Sequence, residues 1–189
     1  MVLAYFMSHA HPTTKPAPIR LHIGGHEKRE GWTIMDTLSG PHVDILGNCR
    51  DLSQFADGSV DEIYASHVYE HLSYQNELVP ALEEAYRVLK RGGLFRLGVP
   101  DLEVICRLFL RPGQTMETRS HLMRMMLGGQ IDEFDYHKSG FWFDAVKDVL
   151  TQIGFSGVQR VASFGLFKDT TEQVFDGQRI SLNVSAYKA

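Results

Sequence analysis

The chain has only two cysteines, Cys49 and Cys106, in 189 residues. That excludes a disulfide framework and a cysteine-rich zinc site, and it fits a reducing compartment in which both are buried thiols. No run of about eighteen apolar residues occurs, so no membrane-spanning helix is expected. Met1–Met7 is apolar but lacks a basic flank and is too short for a secretion signal, which points to a cytoplasmic protein. A basic surplus is also missing: 19 Lys and Arg stand against 23 Asp and Glu, for a net charge of −4. With a pI near 6.1, neither nucleic acid nor an anionic membrane is a favoured partner. The sequence has no internal repeat or low-complexity tract, and 43% hydrophobic content suffices for one sizeable core. Neither G-x-G-x-x-G nor H-E-x-x-H is present, which speaks against a nicotinamide enzyme and against a metal centre.

What is present reads as a flexible arm over residues 1–18, with three prolines and no hydrophobic period, followed by a single domain over residues 19–189. Short apolar runs bounded by turn residues predict strands over Ile19–Ile23, Thr33–Met35, Val43–Leu46, Glu62–Ala65 and Leu94–Val99. Leu78, Leu82, Ala85, Tyr86 and Leu89 form one stripe of a helix over Leu78–Lys90, stopped by Gly92 or Gly93. Further helices are predicted over Leu102–Leu110 and Ser120–Leu127, and a last one behind Asp144 as N-cap with Gly154 as left-handed terminator. Strands over Gly157–Ser163 and Ile180–Tyr187, joined by an irregular connection, are expected to pair antiparallel.

The segment Leu21–Asp36 is the most informative: an apolar strand, Gly24-Gly25, a turn, and a second strand ending in Asp36. Glycines where a strand stops let a ligand approach backbone N–H groups, and a carboxylate ending the next strand can accept two hydrogen bonds from a ribose diol. That is the layout of a nucleoside-cofactor site. The bland alternatives are a tight turn at Gly24-Gly25 and a surface-loop role for Asp36.

Taken with Asp61–Leu72, which holds Ser66-His67-Val-Tyr-Glu70-His71, and with Tyr86-Arg-Val-Leu-Lys-Arg-Gly-Gly-Leu94, this stretch resembles the class I S-adenosylmethionine-dependent methyltransferases. Gly31-Trp32-Thr-Ile-Met-Asp36 resembles a glycine–tryptophan–x–x–x–aspartate stretch of a small bacterial methyltransferase-like group, and the likeness covers Ile19 to about Tyr187. It implies an α/β, Rossmann-like, mostly parallel sheet with an antiparallel C-terminal strand. Residues 24–32 and the short link at Pro41 are too brief for crossover helices, which usually need about a dozen residues or more. A compact variant with shortened crossovers between the first three strands is therefore expected, with poorly covered sheet near Thr33–Leu46 that suggests a homodimer contact. The chain departs from the family at Gly24-Gly25-His26, where a G-x-G pattern would place its second glycine at the histidine.

The resemblance implies S-adenosylmethionine as cofactor, held by Gly24, Gly25, Asp36, Asp51, Leu52, Ser66 and His67. Asp51-Leu52 falls where the family often sets an acid against the adenine amino group, although Asp51 could equally cap the turn through Gln54. His71 beside Glu70 is a candidate general base or a helix-start cap, and Tyr136 and His137, in the polar segment before the last helix, are candidates to meet an acceptor. The acceptor expected by analogy is a small or glycan-like molecule methylated on oxygen or nitrogen; the alternative is a binding or assembly module that retains the fold without catalysis.

Overall fold

The computed structural model describes residues 17–189; most of the expected N-terminal arm lies outside them. The core is a seven-stranded sheet. Its strands are β1 (Arg20–Ile23), β2 (Thr33–Asp36), β3 (Ile45–Leu46), β4 (Val60–Ser66), β5 (Leu89–Pro100), β6 (Phe155–Val161) and β9 (Ser181–Lys188). In space they run β3-β2-β1-β4-β5-β9-β6, parallel from β3 to β5 and antiparallel where β9 meets β5 and β6. A separate hairpin joins β7 (Val174–Phe175) to β8 (Gln178–Arg179).

Period-two alternation divides the sheet into two unlike faces. Leu21, Ile23, Ile63, Ala65, Phe95, Leu97, Leu182, Val184 and Ala186 point to one side and are buried against α1 (Leu78–Val88) and α4 (Phe143–Ile153). Each such Leu, Ile or Phe contributes roughly 1.5–3 kcal/mol by leaving water. The opposite side carries His22, Tyr64, Asn183 and Ser185, all buried. Aromatic rings cover it: Phe167 sits 4.1 Å from the His22 ring and 5.0 Å from Tyr64, with Trp32 at 5.3 Å from Phe167. A smaller apolar cluster joins α2 (Leu102–Phe109) and α3 (Met116–Leu127) to Ile180 and the hairpin residue Phe175.

The crossovers between β1, β2 and β3 contain turns and no helix, as their lengths predict, and so does the link from β3 to β4. Helix α1 ends at Val88, earlier than the glycine pair implies, because Leu89 already pairs with Val60 in the sheet. Tertiary pairing here overrides local helix preference. The N-cap position of α4 is Trp142 rather than Asp144, which instead places its charge in the first turn, where the helix dipole favours it. Gly154 ends α4 in the left-handed conformation with φ of 117°. Arg87 has a structural task, binding Glu84, Asp57 and the carbonyls of Leu52 and Phe55, so it clamps the β3–β4 link onto α1.

Candidate functional site

A cavity of about 580 Å³ opens at the carboxyl ends of β1, β2, β3 and β4. Its floor comes from Ile23, Gly24, Met35, Asp36, Gly47, Ser66 and His67, each at or just beyond a strand end. Open parallel sheets gather ligands at this edge because the loops there diverge. Two later segments wall it: Glu133, Phe134 and Lys138 after α3, and Phe167–Thr170 before the hairpin.

Gly24 has φ of 73°, and a Cβ there would come within 2.4 Å of Val68 Cγ2. Its N–H donates to the Met35 carbonyl at 2.9 Å, tying the first loop to β2. Asp36 ends β2 facing the cavity; Oδ1 accepts from the Leu38 N–H at 2.8 Å. Cys49 also lines the cavity, and burial pushes its thiol up to about 12. His22 lies on the floor with both ring nitrogens buried and, among the described residues, unpartnered. Burial lowers its pKa to about 4, with Asp169 pulling the other way, so the ring is neutral at physiological pH.

A polar cluster adjoins the cavity. His67, in a left-handed conformation with φ of 54°, has Nδ1 3.1 Å from Glu70 Oε1 and Nε2 2.8 Å from Ser181 Oγ. Glu70 is fully buried in a 3-10 turn over Tyr69–His71. Burial raises the tendency of its carboxyl to hold a proton, but His67 and His71 outweigh this and the pKa is lowered. The His71 and His137 rings stand 4.9 Å apart, edge to face. Burial lowers the His137 pKa against the pull of Glu70, keeping that imidazole neutral.

Of the residues expected from sequence, the structure places Gly24, Asp36, Ser66, His67 and His71 on the cavity. Gly25 is turned away, where a Cβ would strike the His22 ring at 2.6 Å. Asp51 accepts from the Ser53 N–H at 2.9 Å, the turn-capping alternative, and Leu52 is fully buried in the core. At this point of the wall Asn48, Cys49 and Arg50 face the cavity instead. His137 touches His71 from behind, and Tyr136 meets His71 through its backbone carbonyl while its side chain is exposed. Sequence reasoning passed over His22, Phe167 and Asp169. Strand alternation through Leu21, His22 and Ile23 signals that His22 faces the other side of the sheet. No local pattern marks Phe167 or Asp169.

A methyltransferase domain family matches residues 33–97, from β2 into β5. No curated protein matches the sequence. Solved structures with the same fold include a SAM-dependent methyltransferase from Archaeoglobus fulgidus, 17% identical, with TM-score 0.57 and coverage of 92% of this chain and 87% of that one. A SAM-dependent methyltransferase from Thermotoga maritima is 18% identical, with TM-score 0.54 and coverage of 93% and 84%. The Bacillus YcgJ protein is 16% identical, with TM-score 0.52 and coverage of 91% and 92%. The domain match spans the strands that build the cavity floor, and the strand order of the whole sheet is that of the Rossmann-like methyltransferase fold; together they support an S-adenosylmethionine-dependent methyltransferase.

Proposed function

We propose that the cavity binds S-adenosylmethionine across the ends of β1, β2 and β4 and transfers its methyl group to an oxygen or nitrogen of a small or glycan-like acceptor. The carrying observation is the cavity itself: about 580 Å³, within the usual range of roughly 300–1,000 Å³ for small-molecule sites. Gly24 and His67 supply closely approachable backbone for the methionine part, and the Asp36 carboxylate retains lone pairs for a ribose diol beyond its bond to Leu38. Glu27, Asp36, Glu77, Glu133 and Asp169 outnumber Arg50, Lys138 and Lys168 on the walls, a balance that suits a cationic sulfonium.

In the transfer, an acceptor lone pair forms a bond to the methyl carbon while the C–S pair leaves with sulfur. The acceptor proton passes to water or to the His71 imidazole on the cavity wall. Alignment and exclusion of water supply most of the rate, because the sulfonium is already an excellent leaving group. The acidic balance of the chain and the modest cavity favour a small acceptor over a polynucleotide, in a cytoplasmic setting. Exposed Leu38 and Leu46, at 53% and 65%, support a homodimer through the β2–β3 edge; a monomeric mass by light scattering at micromolar concentration would remove that part.

Calorimetric titration with S-adenosylmethionine and S-adenosylhomocysteine tests the reading. Saturable binding lost in Asp36→Ala is expected. No binding at millimolar ligand, or unchanged binding in the variant, would overturn the assigned site.

A further inference from the structure

Glu70 is left over by methyl transfer as described. Its carboxylate is fully buried and neither oxygen has a hydrogen-bond partner among the described residues. His67 Nδ1 stands 3.1 Å from Oε1, at ion-pair distance. A buried carboxylate in this state is costly unless a cation meets it.

The two imidazoles beside it are set up to receive a cation. His71 Nδ1 lies 3.2 Å from the Tyr136 carbonyl, and His137 Nδ1 lies 3.1 Å from the Met125 carbonyl. A carbonyl only accepts, so both Nδ1 atoms donate, and in the neutral rings both Nε2 lone pairs are left for a ligand. Metal-bound histidines are oriented this way, one ring nitrogen on a backbone carbonyl and the other on the ion. One donor atom from each of Glu70, His71 and His137 lies within 4.8 Å of the others.

We propose that Glu70, His71 and His137 bind one divalent transition-metal ion with the ligand preference of zinc, with His67 as the outer partner of Glu70. Two imidazoles and a carboxylate suit zinc or ferrous iron, whereas magnesium and calcium favour sets of oxygen ligands. Bonds of about 2.0–2.2 Å require the donors to draw together from their present spacing. His71, partly exposed at the cavity wall, supplies that movement. Because His71 also lines the cavity, an open coordination position faces the space into which the acceptor enters on the reading above. There the ion would polarise an acceptor oxygen, and the proton would leave to solvent, with His71 occupied as a ligand. This role rests on the proposed cofactor cavity; the binding of the ion does not.

The test is calorimetric titration of tag-free, chelator-treated protein with zinc, followed by metal analysis of the dialysed complex. One zinc per chain is expected. Loss of an outer-shell partner typically weakens a metal about 10- to 100-fold, the range expected for His67→Asn; Glu70→Gln and His137→Asn should each exceed it. His121→Asn, on exposed α3 surface, should bind as the parent does. Absence of stoichiometric zinc in the parent chain, or parental affinity in Glu70→Gln and His137→Asn, overturns the site. Circular dichroism melts check folding, and should Glu70→Gln unfold, the more accessible His137→Asn decides the matter. S-adenosylmethionine titration of the same preparations separates the two readings: cofactor binding without zinc overturns the metal site alone, and zinc binding without cofactor supports the metal site while overturning the cofactor cavity.

Discussion

The Tyr64 hydroxyl donates to Asp169 Oδ2 across 2.8 Å, linking the central strand β4 to the segment that walls the cavity. Thr171 Oγ1 lies 3.0 Å from the same hydroxyl and is itself bound to Asp169, so three side chains close one network beneath Phe167. Tyr64 is fully buried, and burial raises the pKa of its hydroxyl, keeping it a donor at any physiological pH. Tyr64→Phe removes the tie and leaves the ring packing in place. The expected outcome is a loss of about 1 kcal/mol in urea unfolding, together with weaker S-adenosylmethionine binding by calorimetry as residues 167–170 loosen. Parental affinity in a folded Tyr64→Phe protein would show that this segment does not shape the cofactor site.

Gly24 is constrained twice, by its φ of 73° and by Val68 Cγ2, 2.4 Å from where a Cβ would sit. The left-handed backbone alone costs a non-glycine residue about 1–2 kcal/mol, and the contact with Val68 adds to it. Gly24→Ala should therefore lower both stability and cofactor affinity. Gly24→Ala with Val68→Ala should recover the steric part and leave the backbone part. If the double variant is no more stable than the single one after allowance for Val68→Ala alone, the contact is not what excludes a side chain here.

Regular structure was legible wherever one periodicity governed a segment. The alternation of Ser181-Leu-Asn-Val-Ser-Ala marks β9 because one sheet face is apolar and the other polar, and the brevity of residues 24–32 is enough by itself to rule out a crossover helix. The start of β5 was not legible, since the pairing of Leu89 with Val60 is a long-range contact. At the cavity, the strand-end residues Gly24, Asp36, Ser66 and His67 were readable because the sheet order fixes where strand ends go. Phe167 and Asp169 were not, because a long irregular connection brings them back over the sheet. Asp51 shows the limit of carrying a position over by resemblance: a turn through Ser53 claims its carboxylate, and Asn48 and Arg50 take the wall.

Cys49 is 3% exposed at the cavity edge, with its thiol pushed up to about 12 by burial. Only the thiolate attacks alkylating reagents, and at pH 8 a thiol with that pKa is ionised about once in ten thousand molecules. Cys106 on α2 is partly exposed. Iodoacetamide should therefore label Cys106 well before Cys49 in the native protein, with Cys49 reacting at the rate of local opening and more slowly still with cofactor bound. Peptide mass spectrometry reads both sites in one time course, and equal labelling rates would contradict the burial of Cys49.

His22 connects the cavity floor to acid stability. Its ring is 1% exposed among Trp32, Tyr64 and Phe167, with no hydrogen bond on either nitrogen from the described residues. The folded chain takes up this proton only near pH 4, whereas the unfolded chain does so near 6.5. Between those values the unfolded state holds more protons, so stability falls as the pH falls: the contribution is complete above 6.5 and is lost on the way down through 4. Its size by pH 4 is about 3 kcal/mol. His22→Phe keeps a flat ring in an aromatic nest and removes two unsatisfied polar atoms, so it should match or exceed the parent in stability at neutral pH. Across the same acid window the variant should lose less stability than the parent. Parallel urea titrations at several pH values measure the difference, and superimposable pH profiles for the two proteins would mean that protonation of His22 does not govern the acid limb.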